Sequence, residues 1–285
     1  MHSLPYSRDI RWISSVENNN IKELEEFEAK MANYYSTNTD YYSAIDFTHS
    51  AWEADVPYLR IRELLRGAHH ALEVGCGAAN ILRYENDVEE NYTGCDFSTA
   101  LLENNTRKYP KAKFVPLTTP NKLPFPDGAF DFVFSVYVLE HVVFPELFLK
   151  ECLRVLAPGG ILALRFPNFL EKDNMTSQVA GFSVGSGRDK LQQGRIWDAL
   201  VTGYDRKFRI PAMANKCRNA IGQGYKFYIN VNPVCFHKVF QPDYDAVYLT
   251  YRPEIEACLA NQIIFEPIDA KLDGRDIYMQ GRKTV

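Results

Sequence analysis

Five short apolar runs alternate with helical patterns between about residue 69 and residue 168. The runs HALEVGC, NYTGCD, AKFVPL, FDFVFSV and GILALRF are predicted to be strands, and FSTALLENNTRKY and PELFLKECLRVLAPGG to be helices between them. The runs lack a clean alternation of polar and apolar residues, which is typical of strands buried on both faces. Buried strands separated by helices predict βαβ units with right-handed crossovers, and therefore an α/β fold built on a parallel sheet.

The N-terminal region, residues 1–68, has a different pattern. It contains the charged stretch IKELEEFEAKMANYY, in which Leu24, Phe27 and Met31 fall on one helical face. An aromatic-rich segment follows, and its second half also has a helical pattern, with a proline suited to its first turn. We expect residues 1–68 to be an N-terminal helical cap and residues 69–285 to form the domain that contains the sheet.

The C-terminal region begins irregularly. Residues 170–220 carry few sustained apolar patterns, and six glycines fall between Gly181 and Gly222. Regular patterns return at DAVYLTY, IIFEPID and RDIYMQGRK, predicted to be strands, and at RPEIEACLANQ, predicted to be a helix. A long irregular stretch within a regular domain is typically functional, so residues 169–243 are predicted to be a substrate-side insertion or lid.

The composition indicates a globular protein, with 46% hydrophobic and 24% charged residues. The net charge of −4 argues against nucleic acid as the main partner, because binding phosphates normally requires a basic excess. The six cysteines form no C-x-x-C pair, which favours reduced core thiols over a metal site. The chain begins without a signal-peptide pattern and contains no run long enough to span a membrane. We therefore expect a cytoplasmic protein without a membrane partner.

The strongest chemical signal is LEVGCGAAN, which follows the first predicted strand. Gly75 and Gly77 allow the backbone to turn sharply and approach a ligand, and the next helix presents free N–H groups there. Asp96 ends the second strand, where a carboxylate can accept hydrogen bonds from both hydroxyls of a ribose. These features predict an adenosine-containing cofactor at the carboxyl edge of the sheet. The glycines alone would also allow a tight turn without a ligand, and Ala79 stands where a third glycine is usual.

The chain resembles the class I S-adenosylmethionine-dependent methyltransferases of the small-molecule type, close to methyltransferase domain 11. Four blocks between Ala71 and Asn168 carry the resemblance: LEVGCGAAN, YTGCDFS, LPFPDGAFDFVFSVYVLEHV and LRVLAPGGILAL. Dehydrogenases share the first block, whereas the last two make the resemblance specific. It implies a Rossmann-like, seven-stranded, mostly parallel sheet in the order 3-2-1-4-5-7-6. Strand 7 would be antiparallel. The predicted chain adds an N-terminal helical cap and an insertion after strand 5 to this sheet.

The same resemblance implies S-adenosyl-L-methionine as the cofactor, with S-adenosyl-L-homocysteine as its product. The residues that it assigns to cofactor binding are Glu73, Gly75, Cys76, Gly77, Asp96, Phe97, Thr119, Ser135 and Val136. The first four would surround the methionine portion, Asp96 would bind the ribose diol, and Phe97 would lie against adenine. Thr119 stands where the family usually has an acid that meets the adenine amino group. The last two, at the end of strand 4, would face the sulfonium.

Two histidines are candidate catalytic residues, because a hydroxyl acceptor benefits from a general base. His141 follows Glu140 just past strand 4, and His237 lies late in the insertion. Alternatively, Glu140 and His141 only cap the next segment, and His237 is packed or solvated. Some metal-dependent members of the superfamily have E-x-x-E-H here. Tyr137 replaces the first glutamate, so we expect no metal site.

The insertion is basic although the whole chain is acidic. Eight basic and three acidic residues lie between Ser186 and Ala220, an excess of +5, so the rest of the chain carries −9 (−4 minus 5). This distribution suggests a small-molecule substrate that is anionic, unless the cations only cover a solvated helix.

The sequence therefore predicts a methyltransferase that acts on a small molecule, at a hydroxyl oxygen of a metabolite or sugar. One alternative is a non-catalytic regulatory homologue that binds S-adenosylmethionine, which Ala79 and Thr119 leave open. The other is a NAD-dependent oxidoreductase, which would leave LPFPDGAFD and LRVLAPGG unexplained.

Overall fold

A computed structural model describes residues 12–37, 49–169, 185–220, 224–233, 235–238, 241–244, 247–267 and 276–285. For residues 49–51, 220, 235–238 and 241–244 it describes the backbone only. The helices of this part are α1 (Ile21–Thr37), α2 (His49–Ala54), α3 (Val56–Gly67), α4 (Thr99–Lys108), α5 (Pro145–Val155), α6 (Gly187–Gln192), α7 (Ile196–Tyr204), α8 (Ile210–Ala220) and α9 (Arg252–Leu259). The strands are β1 (Trp12–Ser14), β2 (Ala71–Val74), β3 (Tyr92–Asp96), β4 (Lys113–Pro116), β5 (Phe130–Val136), β6 (Leu156–Pro167), β7 (Tyr228–Asn230), β8 (Cys235–Lys238), β9 (Gln241–Tyr244), β10 (Ile263–Phe265) and β11 (Asp276–Lys283).

Seven of these strands form the central sheet, in the order β10-β11-β6-β5-β2-β3-β4. Five adjacent strands, β6-β5-β2-β3-β4, run parallel to one another. Strand β11 is antiparallel to both of its neighbours, β6 and β10. Counted along the chain, this order is 3-2-1-4-5-7-6 with the seventh strand antiparallel. The predicted fold class and strand order are confirmed.

The two faces of the sheet carry separate hydrophobic cores. Phe148 of α5, Ile255 of α9 and Leu24 of α1 belong to one core. Ile61 of α3 and Leu102 of α4 belong to the other. Because helices cover both faces, the sheet strands can be almost continuously apolar, which is the pattern seen in the sequence. The carboxyl ends of the parallel strands are left as one edge for a ligand.

The insertion is more regular than its sequence suggests. Instead of an irregular stretch, residues 187–220 form α6, α7 and α8, with a π-helical turn (Asp205–Arg209) between the last two. Ile210, Ala214 and Cys217 of α8 lie at helical spacing in a small core. The expectation of irregular structure was wrong: Ile196, Leu200 and Tyr204 of α7 also recur at helical spacing, although this helix has no buried residue.

The predicted strand DAVYLTY is also wrong in its described part, where Tyr248 forms only an isolated bridge to Ile229. Its backbone bonds go to two separate partners: Val247 accepts from Asn230 of β7, and Tyr248 donates to the carbonyl of Glu140.

In addition, the N-terminal region is not purely helical, since β1 pairs antiparallel with β7. No helix among the described residues combines the length and the apolar composition needed to cross a bilayer.

Candidate active site

The turn after β2 can be built only with glycine at its first position. Gly75 has a φ of +77°, and a Cβ there would lie 2.3 Å from Cγ2 of Val138. The N–H groups of Gly75 and Cys76 donate to the carbonyl of Cys95 at 2.8 and 3.0 Å, which ties the turn to the end of β3. Ala79 adopts the left-handed conformation, with a φ of 50°, and is fully buried. The chain therefore keeps a left-handed turn there without a glycine, at a cost of about 1–2 kcal/mol.

Asp96 is held in place by the same turn. Its Oδ2 accepts from the N–H of Gly77 at 2.9 Å, and its Oδ1 accepts from the N–H of Ser98 at 3.0 Å. Burial raises the pKa of Asp96, and the backbone hydrogen bonds from Ser98, Gly77 and Phe97 oppose that effect. Backbone donors thus orient a carboxylate at the end of β3, in the position that binds a ribose in dinucleotide folds.

Glu73 is a buried carboxyl at the base of the turn. The hydroxyl of Tyr92 donates to Oε2 of Glu73, and both side chains are buried. Burial raises the pKa of Glu73 to about 8, with the charge of Asp96 adding to the effect and the Tyr92 bond opposing it. The carboxyl therefore carries a proton at neutral pH when no cation is nearby.

This raised pKa predicts a stability that depends on pH. In the unfolded chain Glu73 loses its proton near pH 4.5, whereas the folded protein keeps it up to about pH 8. The free energy of unfolding should therefore fall as pH rises through this window, on the order of 1.4 kcal/mol per pH unit, and level off above it. A Glu73→Gln variant lacks this titration, so its stability relative to the wild type should increase from pH 5 to pH 8.

Urea unfolding at several pH values measures the effect. Glu103→Gln, which changes an exposed carboxyl on α4, is the matched control and should follow the wild-type curve. Parallel curves for Glu73→Gln and the wild type would contradict the prediction.

A cavity of about 440 Å³ opens above the turn. Eight of the residues predicted from the sequence line it: Glu73, Gly75, Cys76, Gly77, Asp96, Phe97, Val136 and His141. Thr119 and Ser135 do not. Thr119 accepts a hydrogen bond from the N–H of Asn121, and Ser135 donates to the carbonyl of Val74 at 2.9 Å. Successive side chains of a strand point to opposite faces, so Val136 reaches the cavity while Ser135 is used between strands.

Helix α1 closes one side of the cavity with a carboxylate that the sequence did not predict. Glu28 lines the cavity beside Phe97 and Pro120. Its Oε1 accepts from the side-chain amide of Asn121 at 2.5 Å, and burial raises its pKa. The amide oxygen of Asn121 is buried and has no hydrogen-bond partner among the described residues. Two acceptors thus stand near the position where the sequence offered only Thr119.

His141, which also lines the cavity, lies between a tyrosine and a carboxylate. The hydroxyl of Tyr35 on α1 shares a hydrogen bond of 2.9 Å with Nδ1 of His141. Oε1 of Glu140, which is buried, lies 3.8 Å from Nε2. Tyr35 could not be predicted from α1 alone, because its partner is 106 residues away. His237 lies in β8, for which only the backbone is described, so its catalytic role stays a prediction.

Aromatic side chains form another part of the cavity wall, and a buried arginine lies behind them. Tyr58 and Tyr137 line the cavity, and the guanidinium of Arg165 lies 4.4 Å from the Tyr58 ring centroid. Arg165 donates to both oxygens of Asp55 at 2.8 and 3.0 Å, and Tyr137 donates to Asp276 at 2.6 Å. Burial raises the pKa of Tyr58 to about 12 and that of Tyr137 further, so both phenols stay protonated at neutral pH.

Tyr137 has a φ of 54°, which is unusual for a bulky residue. Such strain is typically kept where a side chain must be placed for function.

Among the described residues, no three His, Cys, Asp or Glu side chains converge as ligands of a metal ion.

The basic residues of the insertion do not supply charge to the cavity. None of the eight between Ser186 and Ala220 is part of its lining. Arg195 and Arg209 pair with Asp198 and Asp205, at 2.6 and 2.9 Å.

Comparison with known proteins places this site in a family context. Residues 72–164 match the model of a family described as "Methyltransferase domain". The chain is 34% identical over 119 residues to the demethylmenaquinone methyltransferase of Chlamydia trachomatis, covering 41% of this chain and 50% of that protein. It is 39% identical over 97 residues to the 2-methyl-6-phytyl-1,4-hydroquinone methyltransferase of Synechocystis, covering 33% and 30%. It is 30% identical over 115 residues to the trans-aconitate 2-methyltransferase of Paracidovorax citrulli, covering 39% and 43%. The chain thus spans half or less of the length of these relatives.

Proposed function

We propose that this chain is a class I S-adenosylmethionine-dependent methyltransferase that methylates a hydroxyl oxygen of a small ring-shaped molecule. The match of residues 72–164 to the model of a methyltransferase domain supports the enzyme class. The observation that carries the proposal is a single cavity that brings the glycine turn and Asp96 together with His141. The aromatic side chains in the lining, of which Tyr35 contacts His141, support a flat acceptor. Two of the three relatives are named for a quinone or a hydroquinone, which fits such a ring.

The residues present fit S-adenosylmethionine. A Cβ at Gly75 would close the cradle that the turn forms, and Asp96 offers acceptors to ribose hydroxyls. Glu73 lies at the base of the turn, where a cationic amino-acid end would favour its ionised form. Glu28, which lines the cavity and is held by the side-chain amide of Asn121, would accept from the adenine amino group. The bound cofactor would supply an activated methyl group, because its sulfonium sulfur can leave as a neutral thioether in an in-line displacement.

The chain's own contribution to the reaction is positioning and proton transfer. Holding two reactants in near-attack geometry can supply about 7–11 kcal/mol. His141 would donate from Nδ1 to the hydroxyl of Tyr35, which leaves Nε2 to accept the proton of the substrate hydroxyl. The carboxylate of Glu140, 3.8 Å from Nε2, would then stabilise the imidazolium. Tyr58 and Tyr137 would act as fixed walls, since their phenols hold their protons at neutral pH.

For the division of the chain, we propose residues 1–68 as a cap, residues 69–285 as the methyltransferase domain, and residues 169–243 as an insertion in it. The cap assignment is supported by Glu28, Met31, Ala32 and Tyr35 of α1, all of which line the cavity.

The direct test is calorimetry with S-adenosylmethionine, S-adenosylhomocysteine and NAD⁺, followed by turnover with a panel of phenols, hydroquinones and sugars. Release of S-adenosylhomocysteine with a methylated oxygen, identified by mass spectrometry and NMR, is the expected result. Binding without turnover of any acceptor would favour the non-catalytic homologue, and preferential binding of NAD⁺ would favour the oxidoreductase. A methylated carbon or nitrogen would retain the enzyme class and reject the hydroxyl acceptor.

Asp96→Asn should weaken binding of S-adenosylmethionine about 10–100-fold, because hydrogen bonds to a charged acceptor contribute about 1.5–3 kcal/mol. Calorimetry measures the dissociation constant, and circular dichroism checks the fold. Asp127→Asn, at a carboxylate with an 81% exposed side chain outside the cavity, is the control and should bind normally. Unchanged affinity in Asp96→Asn would remove Asp96 from the proposed site.

A further inference from the structure

The insertion exposes an unusual set of apolar side chains. Each is at least 52% exposed, and Trp197 is 80% exposed. We refer to the set as the apolar ridge; its members are Leu191, Ile196, Trp197, Leu200, Tyr204 and Phe208. Helix α7, which contributes four of the six, has no buried residue. A helix this apolar normally faces a core, and contiguous exposed apolar surface marks an interaction site.

The ridge is a continuous feature. Ile196, Leu200, Tyr204 and Phe208 recur every four residues, which places them along one side of the helix. Helix α6 braces α7, since Nζ of Lys190 donates to the hydroxyl of Thr202 at 2.6 Å. The next helix, α8, is anchored in the body through its own small core. The ridge is therefore an exposed apolar surface on helices that are held to the rest of the chain.

Positive charge surrounds the ridge. Arg188, Arg206 and Lys207 are exposed in the same segment and make no ion pair among the described residues. Two of the three acids between residues 186 and 220 are engaged by Arg195 and Arg209. The segment carries an excess of +5 against −9 for the rest of the chain, so the helices that bear the ridge are the basic part of an acidic chain.

This combination selects one kind of occupant. A second copy of the chain would bring the same +5 segment against itself in a two-fold dimer, and like charges would oppose that contact. Nucleic acid would use the cations but would leave the aromatic and aliphatic side chains exposed. An anionic bilayer matches both features, because apolar and Trp side chains enter the boundary of the acyl chains while Lys and Arg reach the headgroups. We propose that the apolar ridge docks on an anionic lipid surface, with α7 lying in its plane, which revises the expectation from the sequence that the protein has no membrane partner.

Sedimentation with vesicles tests the proposal and does not depend on methyl transfer. The full chain should bind vesicles of phosphatidylcholine and phosphatidylglycerol in equal parts, but not phosphatidylcholine alone, and high salt should weaken the binding. Replacing Trp197 and Phe208 together by serine should weaken partitioning at least about tenfold. Ile264→Ser, which changes a 67% exposed apolar residue on β10, is the matched control and should leave binding unchanged.

Two further measurements identify the contact. Brominated lipids should quench the fluorescence of the wild type, and Trp197→Phe should lose that quenching. The charge reversals Arg206→Glu and Lys207→Glu should reduce binding, whereas Lys22→Glu on α1 should not. Three results would overturn the proposal: no binding to anionic vesicles, normal binding by the Trp197/Phe208 variant, or a dimer in light scattering that the same substitutions dissociate.

Discussion

Gly75→Ala is expected to lower the free energy of unfolding by about 2–5 kcal/mol and to abolish cofactor binding. The new Cβ would lie 2.3 Å from Cγ2 of Val138, and the φ of +77° would be strained for any side chain. The contact with Val138 overpacks the cavity wall, and the positive φ adds a backbone cost of about 1–2 kcal/mol. Chemical unfolding and calorimetry with S-adenosylmethionine measure the two consequences.

Gly159→Ala separates these two contributions. Gly159 has nearly the same φ, +76°, but a Cβ there would meet nothing within 4 Å. Its substitution should therefore show only the backbone cost and normal cofactor binding. Adding Val138→Ala to Gly75→Ala should restore part of the lost stability, because it removes the contacted methyl groups. Equal losses in Gly75→Ala and Gly159→Ala would show that packing against Val138 contributes nothing.

His141→Ala is expected to reduce kcat about 10²–10⁴-fold, which is the usual contribution of a general base. The dissociation constant of S-adenosylmethionine should change little, because the proposed function assigns His141 to the acceptor and not to the cofactor. Turnover with the best acceptor from the panel gives kcat, and calorimetry gives the affinity. Retention of near-normal turnover would reject His141 as the base.

Two substitutions sharpen this test. Tyr35→Phe keeps the ring that contacts His141 but removes the hydroxyl bonded to Nδ1, so kcat should fall about tenfold, the equivalent of one hydrogen bond. His70→Ala, at an exposed histidine before β2, is the control and should leave kcat unchanged. If His141→Ala stays active and His237→Ala does not, the base is the histidine on β8.

The central fold could be predicted because its signals are local. The runs from HALEVGC to GILALRF became five neighbouring parallel strands, since burial on both faces makes each run apolar throughout. The order of the last two strands came from the resemblance to a family and not from periodicity. DAVYLTY has the local pattern of a strand, but its described residues are not in one. Their backbone hydrogen bonds go to two distant partners, which a local pattern does not reveal.

The site was predictable only in part, for a related reason. Asp96 and the glycine turn are adjacent to strand ends, so their place in the sequence indicates their place in the fold. Ser135 also ends a strand, but the alternation of side chains directs it to Val74 and away from the cavity. Glu28 and Asn121 bond to each other although they are 93 residues apart, and the sequence predicted the helix of Glu28 only as part of the cap.

The sequence by itself determined the α/β class, the sheet edge proposed for the cofactor and the identity of the residues at the turn. Each of these follows from chain neighbours, because strands, turns and strand ends are short-range features. The tertiary structure alone decided that α1 brings Glu28 and Tyr35 over the cavity and that Asp55 reaches Arg165, 110 residues away. It also decided that the basic insertion lines no part of the cavity and exposes an apolar ridge. These contacts depend on how helices pack on the sheet, and packing of distant elements leaves no periodic pattern in a single sequence.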